Sequence, residues 1–286
     1  MKSYDHLLTE HYGQTDLEAH ILSALKKAGK DVNALTREDL FTFDEFHIGG
    51  RIETRKLAEW ADLKPGTRIL DIGCGIGGPA RTLADEFSCD VTGLDIMEEY
   101  CKAAQFLTRR VGLADRVHFQ HGGAADMDFD AETFDAIWSQ HTTMNIQDKA
   151  ALFREIHRVL VPGGRFIFHE VCAGPNQPIH FPVPWAHEAA LNFLIPPQVL
   201  HRYLTDQGFT EEKWRNITTD SLAWYQKAAA KMATHQKKTA KPLGIKLLMG
   251  DTTPAKAACV VRNLEEDRIR VVQGVFRKNP ESTSLR

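Results

Sequence analysis

The run Asp71-Ile72-Gly73-Cys74-Gly75-Ile76-Gly77-Gly78-Pro79 puts four glycines within six residues, directly behind an aspartate. Closely spaced glycines let a backbone approach a ligand with no Cβ in between, and they permit positive φ. Asp95 follows 22 residues after Gly73. A carboxylate at that distance can accept from both hydroxyls of a ribose. Nicotinamide and adenosyl cofactors both use such a contact, and Gly73, Gly75 and Gly78 also satisfy the G-x-G-x-x-G dinucleotide pattern. Asp71 separates the two. A carboxylate there repels a pyrophosphate and attracts an ammonium group, such as that of a methionine moiety.

These residues need elements to hold them. Thr67 to Ile72 is a short apolar run bounded by Pro65-Gly66 and Gly73. Pro79 then opens a helical stretch, where Pro suits a first turn. Strands are expected at Asp90 to Asp95, Val117 to His121, Phe134 to Gln140 and Arg165 to Val171, with a helix from Glu98 to Val111. Asp148 can cap a helix whose apolar residues Leu152, Phe153, Ile156, Val159 and Leu160 share one face. Alternating strands and helices imply a parallel sheet with right-handed crossovers, and ligands bind beyond the carboxyl ends of its strands. Phe209 to Ile217 and Ile269 to Phe276 read as a terminal strand pair. That arrangement lacks a second mononucleotide-binding half, which leaves a nicotinamide-dependent oxidoreductase as a remote alternative. The expected fold is a doubly wound seven-stranded, mostly parallel α/β sheet. Residues 1–60 form an N-terminal helical lid, 61–172 the cofactor-binding core, and 173–286 a substrate cap plus the last two strands.

Composition bounds the function. With 35 Lys and Arg against 38 Asp and Glu, no basic field exists to attract nucleic acid. No run of 18 apolar residues spans a membrane, and the polar start MKSYDHLLTEHYGQTD is not a signal peptide. The five cysteines include no CxxC, so free thiols in a reducing cytoplasm are expected, without a metal site. Self-association stays open.

LDIGCGIGGPARTLA, VTGLDI, FDAIWSQ and LVPGGRFIFHEV resemble, in order and spacing, the successive motifs of class I S-adenosylmethionine-dependent methyltransferases. Within that class the chain is similar to the glycine/sarcosine/dimethylglycine and phosphoethanolamine N-methyltransferase group. Phe46-His47-Ile48-Gly49-Gly50 resembles the lid segment those enzymes fold over the cofactor. The resemblance implies S-adenosyl-L-methionine as cofactor. It places Asp71, Gly73, Gly75 and Gly77 along the methionine and ribose moieties, Asp95 on the ribose, and Ile96 and Met97 on one adenine face. Gly49 would close from the lid, Gly123 and Ala124 would line the other side, and Ser139 and Gln140 would meet the methionine portion. Two positions depart from the family. Gly122-Gly123-Ala124 stands where many relatives have Gly-Asp-Ala, leaving the adenine amine to backbone, water or Asp126. Asn145 stands roughly where the phosphoethanolamine enzymes carry a catalytic His, which weighs against phosphoethanolamine as acceptor.

The acceptor site must surround the transferred methyl group. Its candidates are Tyr12, His47, Gln140, His141, Glu170, Trp185 and the loop from Ala173 to Pro197, with Gln140 and His141 as catalytic candidates. Trp185, Phe181 and Phe193 would pack the cap or form an aromatic wall able to hold a cationic amine. A helix from Ser221 to His235 completes the cap, with Lys237-Lys238 as its solvated end. The chemistry expected is in-line methyl transfer to a small molecule, foremost N-methylation of a small amine or amino-acid-like acceptor. O- or C-methylation would use the same cofactor site. A sulfonium already activates the methyl group, so the protein must position a nucleophile, exclude water and accept a proton.

Overall fold

The computed structural model describes residues 12–13, 16–235 and 243–280, so Lys237-Lys238 lies outside the described residues. Among the described residues the helices α1 (Leu17–Lys27), α2 (Arg37–Leu40) and α3 (Gly50–Trp60) precede the core. The alternating core follows: β1 (Arg68–Ile72), α4 (Gly78–Phe87), β2 (Asp90–Asp95), α5 (Glu98–Arg110), β3 (Val117–His121), β4 (Phe134–Gln140), α6 (Lys149–Val159) and β5 (Leu160–Ala173). The remainder is α7 (Pro197–Asp206), β6 (Phe209–Asn216), α8 (Thr218–His235), α9 (Lys246–Met249), α10 (Thr253–Glu265) and β7 (Ile269–Lys278).

The seven strands form one sheet in the order β3-β2-β1-β4-β5-β7-β6. The first five run parallel, and β7 enters antiparallel to both β5 and β6. The expected seven-stranded doubly wound sheet is what the chain folds into. A dinucleotide fold continues its parallel order, so the antiparallel β7 removes the second nucleotide-binding half that an oxidoreductase of this kind needs.

Alternation along each strand assigns the two faces. Ile69, Trp138 and Ile167 point to one side, where they meet Leu57 and Ala58 of α3 and Ala80 and Leu83 of α4. Leu70, Ile137, Phe166 and Phe168 point to the other, against Leu152, Phe153 and Ile156 of α6 and Leu200 and Leu204 of α7. The Asp148 carboxylate accepts from the Ala151 N–H at 2.8 Å and caps α6, as the sequence predicts.

The N-terminal segment is fastened to the core by buried charge. Asp44 accepts from Arg37 at 3.0 Å and from Arg81 of α4 at 2.8 Å, all three buried. Arg37 also donates to the Thr82 hydroxyl, which in turn donates to Glu45 at 2.6 Å. A Cβ at Gly78 would lie 2.0 Å from the Asp44 carbonyl oxygen, so this glycine exists for the close passage of the lid backbone over the start of α4. In the cap, the His180 N–H donates to Asn263 of α10 at 2.7 Å, and the Asn263 amide returns a bond to the His180 carbonyl. His180 therefore docks the cap loop. Among the described residues no helix is long and apolar enough to cross a membrane.

Candidate active site

The carboxyl ends of the neighbouring strands β2, β1, β4 and β5 lie side by side, next to Phe46 and His47 of the N-terminal segment. The turn after β1 is tied to β2 by the Gly73 and Cys74 N–H groups, which both donate to the Leu94 carbonyl. Asp95 closes the turn: its Oδ2 accepts from the Gly75 N–H and its Oδ1 from the Met97 N–H, both at 2.9 Å. Burial raises the Asp95 pKa although both bonds favour the anion. Each oxygen keeps a further lone pair, which suits two ribose hydroxyls. Asp71 lies fully inside at the end of β1. Burial and then the nearby Glu45 and Asp95 carboxylates raise its pKa well above the usual range, and its Oδ2 has no hydrogen-bond partner. A cation at this place would relieve that cost.

Gly75 has φ +55°, and a Cβ there would lie 2.7 Å from the Phe46 ring. Phe46 of the N-terminal segment therefore sits directly on the glycine turn. Gly75→Val should strain the left-handed backbone by about 1–2 kcal/mol and push Phe46 outward. We expect roughly tenfold weaker S-adenosylhomocysteine binding by titration calorimetry, with the far-ultraviolet circular dichroism spectrum unchanged. Wild-type affinity would reduce the loop to a plain turn.

A cavity opens beside this turn. Gly73, Cys74, Phe46, His47 and Tyr12 form one side, Gln140, His141 and Met144 another, and Pro184, Trp185, Tyr225, Met249 and Val260 the cap side. Four of the acceptor candidates predicted from sequence, Tyr12, His47, His141 and Trp185, thus meet around one cavity, together with Gln140.

Gln140 is oriented by its neighbours. The Trp138 indole N–H, a donor only, donates to Gln140 Oε1 at 2.8 Å, which fixes the amide's orientation. The Thr54 hydroxyl of α3 lies 3.1 Å from the same oxygen and 2.5 Å from Glu45 Oε2. Gln140 Nε2 is buried without a partner, although the side chain borders the cavity. It is a donor group held ready for a ligand acceptor.

His141 has φ +55°, a left-handed conformation unusual for a residue with a side chain. Its N–H donates to the His169 carbonyl at 2.8 Å, and its Nε2 lies 3.3 Å from His169 Nε2. Burial, and then the neighbouring His47, lower its pKa well below 6.5, so the ring is neutral at pH 7.

The expectations for Glu170 and Ser139 need correction, and the other site candidates are placed as follows. Glu170 does not line the cavity: it is fully buried and accepts from the Ser139 hydroxyl, the Thr142 and Thr143 N–H groups and the Thr143 hydroxyl. It holds the loop that carries His141, and Ser139 is spent on that task. Lys149 holds the same loop from its far end, donating to the Thr143 and Ile146 carbonyls. A side chain at Gly77 would strike Phe119 and Arg81, and one at Gly49 would strike Glu53, so both glycines serve packing within the chain. Met97 is buried in the apolar cluster that seats α1, whereas Ile96 is exposed. Gly123 bridges to Asp126 in an open turn with Ala124 partly buried beside it. Asn145 accepts from the Tyr12 hydroxyl at 2.8 Å and donates to the Trp185 and Leu191 carbonyls, joining N-terminal segment and cap. Sequence reading missed His169. Its only signal was a polar His-Glu pair inside the apolar strand FIFHEVCA.

The sheet order, the glycine turn and the acid ending β2 define the Rossmann-like methyltransferase fold. Residues 70–168 match the family model described as a methyltransferase domain. Phosphoethanolamine N-methyltransferase 3 of Arabidopsis thaliana is 36% identical over 149 residues, 52% of this chain and 30% of that protein. Glycine/sarcosine/dimethylglycine N-methyltransferase of Actinopolyspora halophila is 30% identical over 189 residues, 66% of this chain and 32% of that protein. The chain thus spans about a third of the length of these curated relatives. Phosphoethanolamine N-methyltransferase 2 of Haemonchus contortus, solved with phosphomonomethylethanolamine and S-adenosylhomocysteine, superposes with a TM-score of 0.75 at 19% identity. That superposition covers 98% of this chain and 61% of the other.

Proposed function

We propose that this chain is an S-adenosylmethionine-dependent methyltransferase acting on a small molecule, foremost by N-methylation of a small amine. The observation that carries the reading is the cavity itself. It joins the glycine turn, where Asp71 keeps an unpartnered buried oxygen, to the wall formed by Gln140 and a neutral His141. Asp71, Gly73, Gly75 and Asp95 would hold the cofactor, with Ile96 and Ala124 toward the adenine. When bound, S-adenosylmethionine supplies a methyl group already activated by its sulfonium. The chain's residues do the rest. Trp138 and Thr54 fix Gln140, whose amide donates to a ligand oxygen. Tyr12, Phe46, Trp185 and Tyr225 enclose the acceptor, exclude water and present ring faces to a cationic body. His141 takes the proton that an ammonium acceptor must lose to become a nucleophilic amine. The N-methyltransferases among the relatives support nitrogen as the methylated atom, while sterol 24-C-methyltransferases also match the chain; O- and C-methylation would use the same wall. Five unpaired cysteines fit a reducing, cytoplasmic setting.

Calorimetry should register S-adenosylhomocysteine and not NAD. Incubation of a metabolite extract with methyl-labelled cofactor should then yield a labelled small molecule by mass spectrometry. Binding without any labelled product would leave a cofactor-binding scaffold and overturn the catalytic reading.

A further inference from the structure

His169 lies on β5, fully buried, and no candidate role was assigned to it from sequence. Its cross-strand partners are Gln140 on β4 and Gln273 on β7, and Gln273 pairs in turn with Arg215 on β6. Directly paired residues point to the same face. A polar row, Gln140-His169-Gln273-Arg215, therefore crosses four strands on the face covered by α3. Its outer end is tied down: Arg215 donates to Gln273 Oε1 at 2.6 Å, and the Gln273 amide donates to Glu53 of α3 at 3.0 Å. Its inner end borders the cavity through Gln140.

Within this row His169 grips His141 twice. The His169 carbonyl accepts the His141 N–H at 2.8 Å, and the two Nε2 atoms lie 3.3 Å apart. The rings meet edge to face with centroids 4.6 Å apart. An Nε2–Nε2 contact needs one proton between the rings, so it engages His141 Nε2 and leaves Nδ1 as the nitrogen available to the cavity. His169 Nδ1 has no partner, so no neighbour pins that ring to a single tautomer.

We propose that His169 is a positioning residue for His141: it fixes the His141 ring and accepts a hydrogen bond from the His141 Nε2–H, which stays on His141 when that ring takes a second proton at Nδ1. The proposal rests on the reading of His141 as proton acceptor. Protonated His141 must place its Nε2–H somewhere, and His169 Nε2 is the acceptor within reach. The proton count closes within the pair. The acceptor molecule loses one proton, His141 gains it at Nδ1, and His169 keeps its own on Nδ1. The other groups around the pair do not compete for this role. His47 faces both rings from the lid at centroid distances of 6.0 and 5.7 Å, but its Nε2 is turned to Glu45 and Thr54. Arg215 from β6 and Glu53 from α3 are engaged through Gln273. Glu170, next along β5, points to the opposite face and is filled by the Ser139, Thr142 and Thr143 donors.

The test compares His169→Phe with His169→Gln. Phe keeps the ring volume and the backbone carbonyl but offers nothing to the His141 Nε2–H; Gln restores an acceptor oxygen. We expect His169→Phe to lower kcat at least tenfold, within the range a general acid–base contact supplies. The acidic limb of its rate profile should move to lower pH, because the imidazolium of His141 has lost its acceptor. S-adenosylhomocysteine affinity should stay within twofold of wild type, and His169→Gln should recover part of kcat. Nitrogen-15 NMR of the unliganded protein supplies a readout independent of turnover: the His141 titration should shift downward in the Phe variant. Wild-type kcat and an unmoved His141 titration in His169→Phe would overturn the proposal. So would parallel losses of kcat, cofactor affinity and melting temperature in both variants, which mark a packing role. If His141→Ala retains full turnover, the proton-acceptor reading itself has failed; a shifted NMR titration alongside it would leave the His169–His141 contact real but unused in the reaction.

Discussion

Asp95→Ala is expected to weaken S-adenosylhomocysteine binding by roughly 30- to 1000-fold, which corresponds to about 2–4 kcal/mol for a charge-assisted bidentate contact. Two effects combine. The ribose hydroxyls lose their carboxylate acceptor, and the Gly75 and Met97 N–H groups lose the oxygens that hold the turn in shape. Asp95→Asn separates them, because its one oxygen can still serve a backbone N–H while the charge is gone. Its loss should therefore be smaller. Calorimetric titration of both variants checks this, and unchanged affinity in Asp95→Ala would remove the ribose role.

The sheet was legible because its signals are local. Ile69, Leu70 and Ile72 are bracketed by Pro65-Gly66 and Gly73, and the observed β1 begins at Arg68, one residue inside the expected start. Asp148 could be read as a cap from type and position alone. The glycine turn at Gly73 and Gly75 and the acid Asp95 at the end of β2 could be located from their spacing, and so could Gln140 at the end of β4 and His141 next to it, which border the cavity. What escaped depends on pairing across distant segments. Nothing local distinguishes Asp44 from other acids, and its role appears only when Arg37 and Arg81 converge on it. Glu170 and His169 are adjacent on one strand, and strand alternation sends them to opposite faces. Sequence reading assigned the carboxylate to the cavity and passed over the imidazole. The structure places them otherwise: Glu170 collects the donors of Ser139, Thr142 and Thr143, and His169 meets the ring of His141, which borders the cavity. The polar stretch QHTTMNIQ divides likewise. Thr142 and Thr143 are spent on Glu170, and Asn145 on tying Tyr12 to the Trp185 and Leu191 carbonyls, while Gln140, His141 and the apolar Met144 border the cavity.

His141→Ala is expected to lower kcat/KM by about 10²-fold or more while leaving S-adenosylhomocysteine affinity nearly unchanged, the magnitude of a lost general base. The geometry separates this from a structural effect. The loop is held by Glu170 and Lys149, and the backbone bond from residue 141 to the His169 carbonyl needs no side chain. Alanine thus removes the ring and little of the loop's anchorage, although the left-handed backbone at this position costs any non-glycine residue some stability. The pH dependence has a definite sign. Burial and His47 depress the His141 pKa below 6.5, so the base is free at neutral pH and the wild-type rate should be flat there. It should fall only as pH drops through that depressed value, and the alanine variant should lose this limb. A melting temperature and cofactor affinity that collapse together would show that the ring serves the fold. Full turnover with wild-type stability would shift the proton acceptor to His47, whose ring lies 6.0 Å from that of His141 across the same cavity.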